Sequence, residues 1–414
     1  MIILALFLQV DSLSLNQAID LTLKNSPAYY QSKISHEKSR ILFYQTLSSF
    51  LPTVSTTGSY TKSEYKGTTT SRYSGSMNFS IPVFDLDIIG SIFASHQNLK
   101  GSNIQYQSEI SNLILRLKTA YYNLINAKEL LNASEIAIKR AGENLNLIET
   151  KFNLGSASKL ELLQAQVFHL RALQDKSRAR TAEITAQEEL KSILDINNEI
   201  YPTDTLAIPD STRLPPLDSL LMILAKVSYN IRLAQALKNV ARINLISSYL
   251  SFLPRVSLFY GYSFSSDSFI FNFQYYQDHS TKNYGINISF PIFEIKTLIF
   301  KWLNAKKDNQ LKEIAKRQVT LETEKLLKTT YYALQESYDK LRLAQKSLAA
   351  ATEATTIAKE QYSLGAISLL DFLKAEQDVY DVKVTYNEAI SDFYIKQANF
   401  SYLLGELFLN KEKK

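Results

Sequence analysis

Side chains able to do covalent or metal chemistry are few in this chain and stand far apart. The four histidines, His36, His96, His169 and His279, share no metal-ligand spacing. Cysteine is absent, which removes thiolate metal sites, disulfides and an N-terminal lipid-modified cysteine. The closest pair of glycines, Gly67 and Gly75, is eight residues apart, so no loop is built to cradle a phosphate. No Ser-His-acid or Cys-His constellation can be assembled. These patterns point away from an enzyme and call for neither metal nor cofactor. What does recur is a carboxylate: Glu161 and Asp371 each follow a glycine, Gly155 and Gly365, by six residues. An acid placed early in a helix is favoured by the helix dipole, and its chemistry is electrostatic rather than covalent.

The elements that must position these acids are helices joined by a tight bend, and the chain writes that bend twice. Phe152-Asn153-Leu154-Gly155-Ser156-Ala157-Ser158-Lys159-Leu160-Glu161 returns as Tyr362-Ser363-Leu364-Gly365-Ala366-Ile367-Ser368-Leu369-Leu370-Asp371, an offset of 365 minus 155, or 210 residues. The chain is therefore a tandem duplication. In both copies a glycine ends a long helical pattern and a serine opens the next, which reads as helix, left-handed C-cap, N-cap, helix. Either glycine alone is read as an ordinary C-cap. The same bend twice, with an acid at the same spacing, argues for a role beyond capping.

The helices leading into the bends carry strict heptads. Ile110, Leu117, Leu124, Leu131, Ile138, Leu145 and Phe152 recur every seventh residue, with Leu113, Ala120, Ala127, Ser134, Ala141 and Ile148 three residues after the first six. Leu327, Leu334, Leu341, Leu348, Thr355 and Tyr362 repeat the pattern in the second half. A seam of large and small residues at this period predicts closely packed coiled coils. With no proline between Val83 and Tyr201 or beyond Pro291, the helices are expected over about Asp87–Phe152, Ser158–Asn197, Lys296–Tyr362 and Ser368–Leu407. At 1.5 Å per residue the two ascending members reach on the order of 100 Å.

Ahead of the long helices lie shorter elements, also in duplicate. Leu15–Lys24 and Tyr29–Ser49 correspond to Leu217–Lys226 and Tyr229–Ser251, and the second helices end alike in Phe50-Leu51-Pro52 and Phe252-Leu253-Pro254. The period then changes from helical to two. Val256, Leu258, Tyr260, Tyr262 and Phe264 alternate mainly with serine and glycine. Ile286, Ile288, Phe290 and Ile292 form the return run, Met77, Phe79, Ile81 and Val83 belong to the first half, and Val54–Tyr65 is a Thr-rich partner. Each half contributes one hairpin whose strands are long enough to cross a bilayer, apolar side to lipid and Ser/Asn side to water. The connections are expected at Lys66–Ser71 and Ser266–Asn283, the second carrying about eight extra residues and many aromatics, either as an extended hairpin or as an exposed cap.

The resulting organisation is an apolar remnant of a signal peptide at 1–13, a first repeat at 14–200 with β-hairpin 53–84 and helical hairpin 87–199, and a Pro-rich linker at 201–216. A second repeat follows at 217–409, with β-hairpin 255–293 and helical hairpin 296–408, and a charged tail at 410–414. Ile2–Val10 is too short to span a bilayer as a helix, and a buried N-terminal strand is its alternative reading. The net charge of +6 is spread among acids along helical faces, which gives no nucleic-acid surface. Four amphipathic strands cannot close a barrel alone, so other copies must complete the sheet: two chains supply eight strands and three supply twelve.

The repeated bends, the acid-Leu/Phe-Leu-x-Ala runs Glu161–Ala165 and Asp371–Ala375, the paired Phe-Leu-Pro and Pro-Val/Ile-Phe signatures, and Lys118-Thr119-Ala120-Tyr121-Tyr122 echoed by Lys328-Thr329-Thr330-Tyr331-Tyr332 together resemble the outer membrane efflux protein family, the TolC-like channels. The resemblance covers Leu15 to about Leu409. It implies a mixed α/β membrane protein of the bacterial outer membrane: a homotrimer with a twelve-stranded barrel, four strands per chain, continued by a periplasmic α-helical tunnel. Its implied partners are outer-membrane lipid, a periplasmic adaptor (membrane fusion) protein, and an inner-membrane transporter of RND or ABC type. Carried onto this sequence, the helical tips Phe152, Leu154, Gly155, Ser156, Ser158, Leu364, Gly365, Ala366 and Ser368 match the family's adaptor-docking ends. Tyr362, Glu161 and Asp371 match positions that hold the periplasmic aperture closed and line it with acid. Two departures stand out: Ile367 replaces an arginine of the closing network, and Lys374 replaces an acid of a second ring. A less acidic, less cation-favouring aperture is expected.

The competing reading is a coiled-coil tether whose hairpins mediate oligomerisation without a pore. A duct extracts with outer membrane, whereas a tether stays soluble. Within the duct reading the cargo, small toxic molecules or secreted polypeptide, is set mainly by the inner-membrane partner.

Overall fold

The computed structural model describes residues 12–209, 214–270, 272–290 and 295–405. The apolar run Ile2–Val10, part of the linker at 210–213, the second strand exit Pro291–Glu294 and the charged tail lie outside the described residues. Two compact units emerge: one takes residues up to Lys33, Tyr106–Tyr229 and the chain from Leu321, the other Ile34–Gln105 and Asn230–Thr320.

The elements run β1 (Ser12–Leu13), α1 (Leu15–Asn25), α2 (Pro27–Leu47), β2 (Thr53–Tyr65), β3 (Thr68–Phe84), α3 (Leu86–Asn153), α4 (Lys159–Leu194), β4 (Tyr201–Pro202), α5 (Leu217–Val227), α6 (Tyr229–Leu250), β5 (Arg255–Ser266), α7 (Phe273–Asp278), β6 (Ser280–Ser289), α8 (Ile295–Ser363) and α9 (Leu369–Leu403). Helices α2, α3 and α8 contribute residues to both units. No single helix among the described residues is long and apolar enough to cross a membrane.

In the first unit the heptad seam of α3 is the core. Leu117, Ala120, Leu124 and Ala127 are buried together with Leu190 and Leu194 of α4, and Ala141 and Ile148 continue the small-and-large alternation toward the bend. Each fully buried leucine contributes about 1.5–3 kcal/mol relative to exposure, so the seam suffices to hold helices whose outer faces are charged. The start of the described chain is tied to this core by a two-stranded parallel sheet, Ser12 opposite Tyr201 and Leu13 opposite Pro202. The buried Tyr121 hydroxyl reaches the Leu13 carbonyl and the Asp204 carboxylate, both at 2.8 Å, and Asp204 also accepts from the Leu15 N–H. Burial and the neighbouring Asp204 charge push this phenol well above the usual tyrosine range. The segment read as a plain linker thus begins with a strand, β4, and an anchoring carboxylate.

The second unit holds a four-stranded antiparallel sheet, ordered β2-β3-β5-β6. Register gathers mostly apolar side chains on one side and mostly small polar ones on the other; Lys62, Glu64 and Lys282 share the apolar side, and Phe259 the polar one. Val54, Phe79, Tyr260 and Tyr284 form one cross-strand row, and Ile81, Leu258 and Ile286 the next. On the opposite side the rows read Ser55, Asn78, Gly261, Asn283 and Thr57, Ser76, Ser263, Thr281. Hydroxyl pairs such as Thr57 with Ser76 at 2.8 Å and Ser59 with Ser74 at 2.7 Å knit the polar side across the strands.

Three expectations change. The connection expected at Lys66–Ser71 is only the turn Lys66-Gly67, with φ of +48° and +81°, because a two-residue hairpin of this twist takes two left-handed residues; Thr68 already pairs with Tyr65. Val83 does not continue the apolar row, since the register slips between Pro82 and Phe84 and sets Phe84 opposite Val256. Proline has no N–H for the ladder and is tolerated at such a bulge. The aromatic stretch after β5 contains the short helix α7, and β6 begins at Ser280, earlier than the loop expected to Asn283.

Candidate functional site

Both helical bends have the same backbone construction. Gly155 at φ +75° donates its N–H to the Phe152 carbonyl at 2.9 Å while Ser156 donates to Lys151 at 2.8 Å; Gly365 at φ +73° donates to Tyr362 at 3.0 Å while Ala366 donates to Gln361 at 2.8 Å. These paired bonds form the Schellman arrangement, which satisfies the last carbonyls of α3 and α8 and needs a residue without a Cβ penalty at the turn. Ser158 and Ser368 then cap α4 and α9, their hydroxyls accepting from the Glu161 and Asp371 N–H groups at 3.1 and 3.2 Å.

The two acids differ by one methylene, and the caps differ accordingly. Glu161 reaches back to the Ser158 N–H at 2.6 Å and completes a capping box. Asp371 is too short to do so and accepts instead from the Ser368 hydroxyl at 2.7 Å. Hydrogen bonds from the Ser158 backbone and hydroxyl, followed by the Lys151 charge, hold the Glu161 carboxyl below its ordinary range against a small desolvation effect. Asp371 and Lys374, three residues apart on α9, are both exposed.

The bends share one apolar cluster. Ile148, Leu162 and Ala165 of the first copy are buried with Leu369, Phe372 and Leu373 of the second, and Phe152, Ala157, Tyr362 and Ile367 pack against them. Ile367, where the resemblance leads one to expect an arginine, is therefore an apolar packing residue. Tyr362 lies flat on Phe372, ring centroids 5.3 Å apart and planes 5° from parallel, and the Lys151 ammonium sits 5.0 Å from the Tyr362 ring centroid. Burial, then the Glu161 charge, raises the Tyr362 phenol above its usual value. The structure thus brings Tyr362, Glu161 and Lys151 into one electrostatic neighbourhood. Asp371 and Lys374 stand on the outside of the same turn of α9.

At the outermost turns apolar side chains face solvent: Leu154 is 78% exposed and Leu364 82%, and Leu160 and Leu370 join them. A solvent-facing leucine thus stands at the same place in both repeats. Sequence reading did not single out Leu160, Leu370, Lys151 or Phe372. It also missed the pair formed by Arg140 of α3 and Glu376 of α9, 3.4 Å apart, in which the glutamate side chain is only 8% exposed. For Leu160 a signal existed, since it interrupts the small-polar run after Gly155; Leu370 follows Ile367 and Leu369 and gave none. The Arg140–Glu376 pair is separated by 236 positions and left none. Among the described residues no three His, Asp or Glu side chains converge as metal ligands.

Known proteins match this arrangement. A family model described as outer membrane efflux protein matches residues 18–195 and again 224–406, one stretch in each repeat. The chain is 21% identical over 387 residues to outer membrane protein TolC of Escherichia coli K12, covering 87% of this chain and 76% of that protein. It is likewise 21% identical over 343 residues to the alkaline protease secretion protein AprF of Pseudomonas aeruginosa, covering 81% and 70%. The crystal structure of the Campylobacter jejuni CmeC outer membrane channel superposes with a TM-score of 0.84 at 20% identity, covering 96% of this chain and 88% of that one.

Proposed function

The chain belongs to the outer membrane efflux protein family, and from that premise we propose how it works. It is an outer-membrane exit duct of an efflux or type I secretion system, a channel rather than a catalyst, and the force that moves its cargo is supplied elsewhere. The observation that carries the mechanism is the four-stranded sheet with an apolar side, a hydroxyl-rich side and two unpaired edges, β2 and β6. Exposed strand edges of this length demand pairing. Because the four strands alternate in direction, β6 of one copy meets β2 of the next in the antiparallel sense, so identical chains close a ring. Three copies give twelve strands, with the aliphatic and aromatic rows toward lipid and the Ser/Thr/Asn rows toward water.

The helical hairpins extend the bore into the periplasm and converge at their bends. There the Tyr362–Phe372 stack and the shared apolar cluster hold the inner ends together, Asp371 and Lys374 set the charge of the opening, and Glu161 fastens the start of α4. Leu154 and Leu364, with the turns Gly155-Ser156 and Gly365-Ala366, form the surface that a periplasmic adaptor protein grips, linking the duct to an inner-membrane transporter of RND or ABC type. Adaptor binding draws the bends apart, at the expense of the apolar cluster they share.

The test is extraction and reconstitution. Cross-linked trimers recovered from outer membrane, which conduct ions once placed in a planar bilayer, are the expected result. A monomer in the soluble fraction that leaves bilayers insulating would replace the duct by a coiled-coil tether.

A further inference from the structure

The hydroxyl-rich side of the sheet is electrically almost blank. Among the described strand residues, register places two charged side chains on it, Arg72 and Arg255. Arg255 is ion-paired at the foot of β5 with Asp87, which also meets Lys301 at 3.6 Å. Arg72 differs. It is exposed, lies opposite Thr61 near the Lys66-Gly67 turn, and its guanidinium meets the Ser265 hydroxyl at 3.5 Å rather than a carboxylate. Around it the strand hydroxyls of Thr57, Ser76 and Ser263, with His279 after α7, line a shallow hollow of about 340 Å³. At this level, close to the turn, the other side carries Lys62 and Glu64, so Arg72 stands near the barrel rim, where charge is tolerated on either side. Apart from Arg255, Phe259, Pro82 and the glycines Gly261 and Gly285, the other described strand residues on this side carry neutral hydroxyls and amides.

Building on the reading that this side lines the bore, we infer that Arg72 is an anion-selecting residue at the outer mouth of the channel, with small multivalent anions as its ligand class. Three copies set three guanidinium groups at one level, where the same side of the strands carries no other charge. A barrel of twelve strands about 4.8 Å apart and tilted by about 40° has a backbone radius of about 12 Å. Inward-reaching arginines therefore bring positive charge to within about one Debye length of the axis at physiological salt, and well inside it at 0.01 M. Among the described strand residues no carboxylate stands on this side to oppose the field, and the low-dielectric wall concentrates it. Guanidinium also binds phosphate-like oxyanions through two parallel hydrogen bonds, which a lysine at the same place would not reproduce.

The experiment uses the full-length trimer in planar bilayers, with Arg72→Gln, Arg72→Lys and Arg72→Glu beside the parent and trimer migration on gels as the assembly check. Two readouts are taken: the reversal potential in a dilute KCl gradient, and block of the current by inorganic tripolyphosphate added from the side of the β2–β3 turn. All variants share the same inner aperture, so differences between them report on Arg72. The expected result is a fall of about fivefold in the anion-to-cation permeability ratio for Arg72→Gln at low salt, from three charges acting across a screened bore. A larger fall is expected for Arg72→Glu, with tripolyphosphate block lost in Arg72→Gln and weakened in Arg72→Lys. Conducting channels whose selectivity and block are unchanged by Arg72→Gln and Arg72→Glu would overturn the inference while leaving the duct intact. A parent that assembles but never conducts would remove the duct reading itself, and this inference with it.

Discussion

Arg140→Ala is the perturbation for which the structure gives the firmest magnitude. The guanidinium of Arg140 on α3 lies 3.4 Å from the Glu376 carboxylate on α9, with side-chain exposures of 49% and 8%, so the pair ties a first-repeat helix to a second-repeat helix. At an effective dielectric of about 20 the Coulomb attraction at this distance is about 5 kcal/mol. Most of that is offset by the desolvation of Glu376 and by solvent screening of the half-exposed arginine. Truncating Arg140 leaves a carboxylate enclosed without its partner, at an expected cost of about 2 kcal/mol. For a cooperative unit of this size such a loss lowers the unfolding midpoint by about 4–8 °C. The double variant Arg140→Ala/Glu376→Gln should recover at least half of the loss, because an enclosed amide is far less costly than an enclosed charge. The assay is far-UV circular dichroism of the detergent-solubilised protein during heating, with single-channel conductance as a second reading. Looser α3–α9 attachment should raise that conductance. A midpoint within 1 °C of the parent for Arg140→Ala, or a double variant no more stable than the single one, would refute the reasoning.

Three further outcomes are expected. Ser158→Ala removes the hydroxyl that caps α4 and should cost about 1 kcal/mol in thermal unfolding. Since the Glu161 carboxyl is held below its ordinary value, the stability that its capping box contributes is present above the unfolded carboxylate range and lost as pH falls through the folded value. The gap between Ser158→Ala and parent should accordingly narrow in acid, and a gap that widens below pH 4 contradicts the assignment. In bilayer recordings at neutral pH, Asp371→Ala should weaken cation preference and Lys374→Ala strengthen it; strong cation selectivity abolished by the first and untouched by the second would show that Lys374 does not offset Asp371. Leu154→Glu together with Leu364→Glu should abolish cross-linking to the adaptor while leaving conductance as it was, and an intact cross-link would move the docking surface away from the bends.

How much of this was legible in the sequence depended on whether the information was periodic. The seam from Ile110 to Phe152 and the alternation from Val256 to Phe264 repeat a physical requirement many times, so they survive any one irregular residue. The bends were legible because glycine and serine each have a specific backbone reason to stand where they do. Single events were not. Lys66 in a left-handed turn looks like any polar loop residue, and the threonines after it look like more loop, although β-branched residues belong in strands. The slip at Pro82 shifts one residue and cancels a pattern that holds on either side. Strands β1 and β4 are two residues long and have no period to detect.

Duplication explains why the bends look alike and also why their differences carry meaning. Two copies of one backbone, with glycine φ of +75° and +73°, present an acid at the same place on α4 and α9. Where the backbone is held constant, a change in side chain is free to change role. In the first copy the longer Glu161 folds back onto Ser158, is only partly exposed, and has its charge engaged by its own helix terminus and Lys151. In the second copy the shorter Asp371 stops at the Ser368 hydroxyl and stays exposed, with Lys374 beside it on the same turn. The first acid's charge is therefore engaged by its own helix terminus, and the second's stays exposed. A ring of three such chains would alternate three fastened bends with three electrostatically open ones.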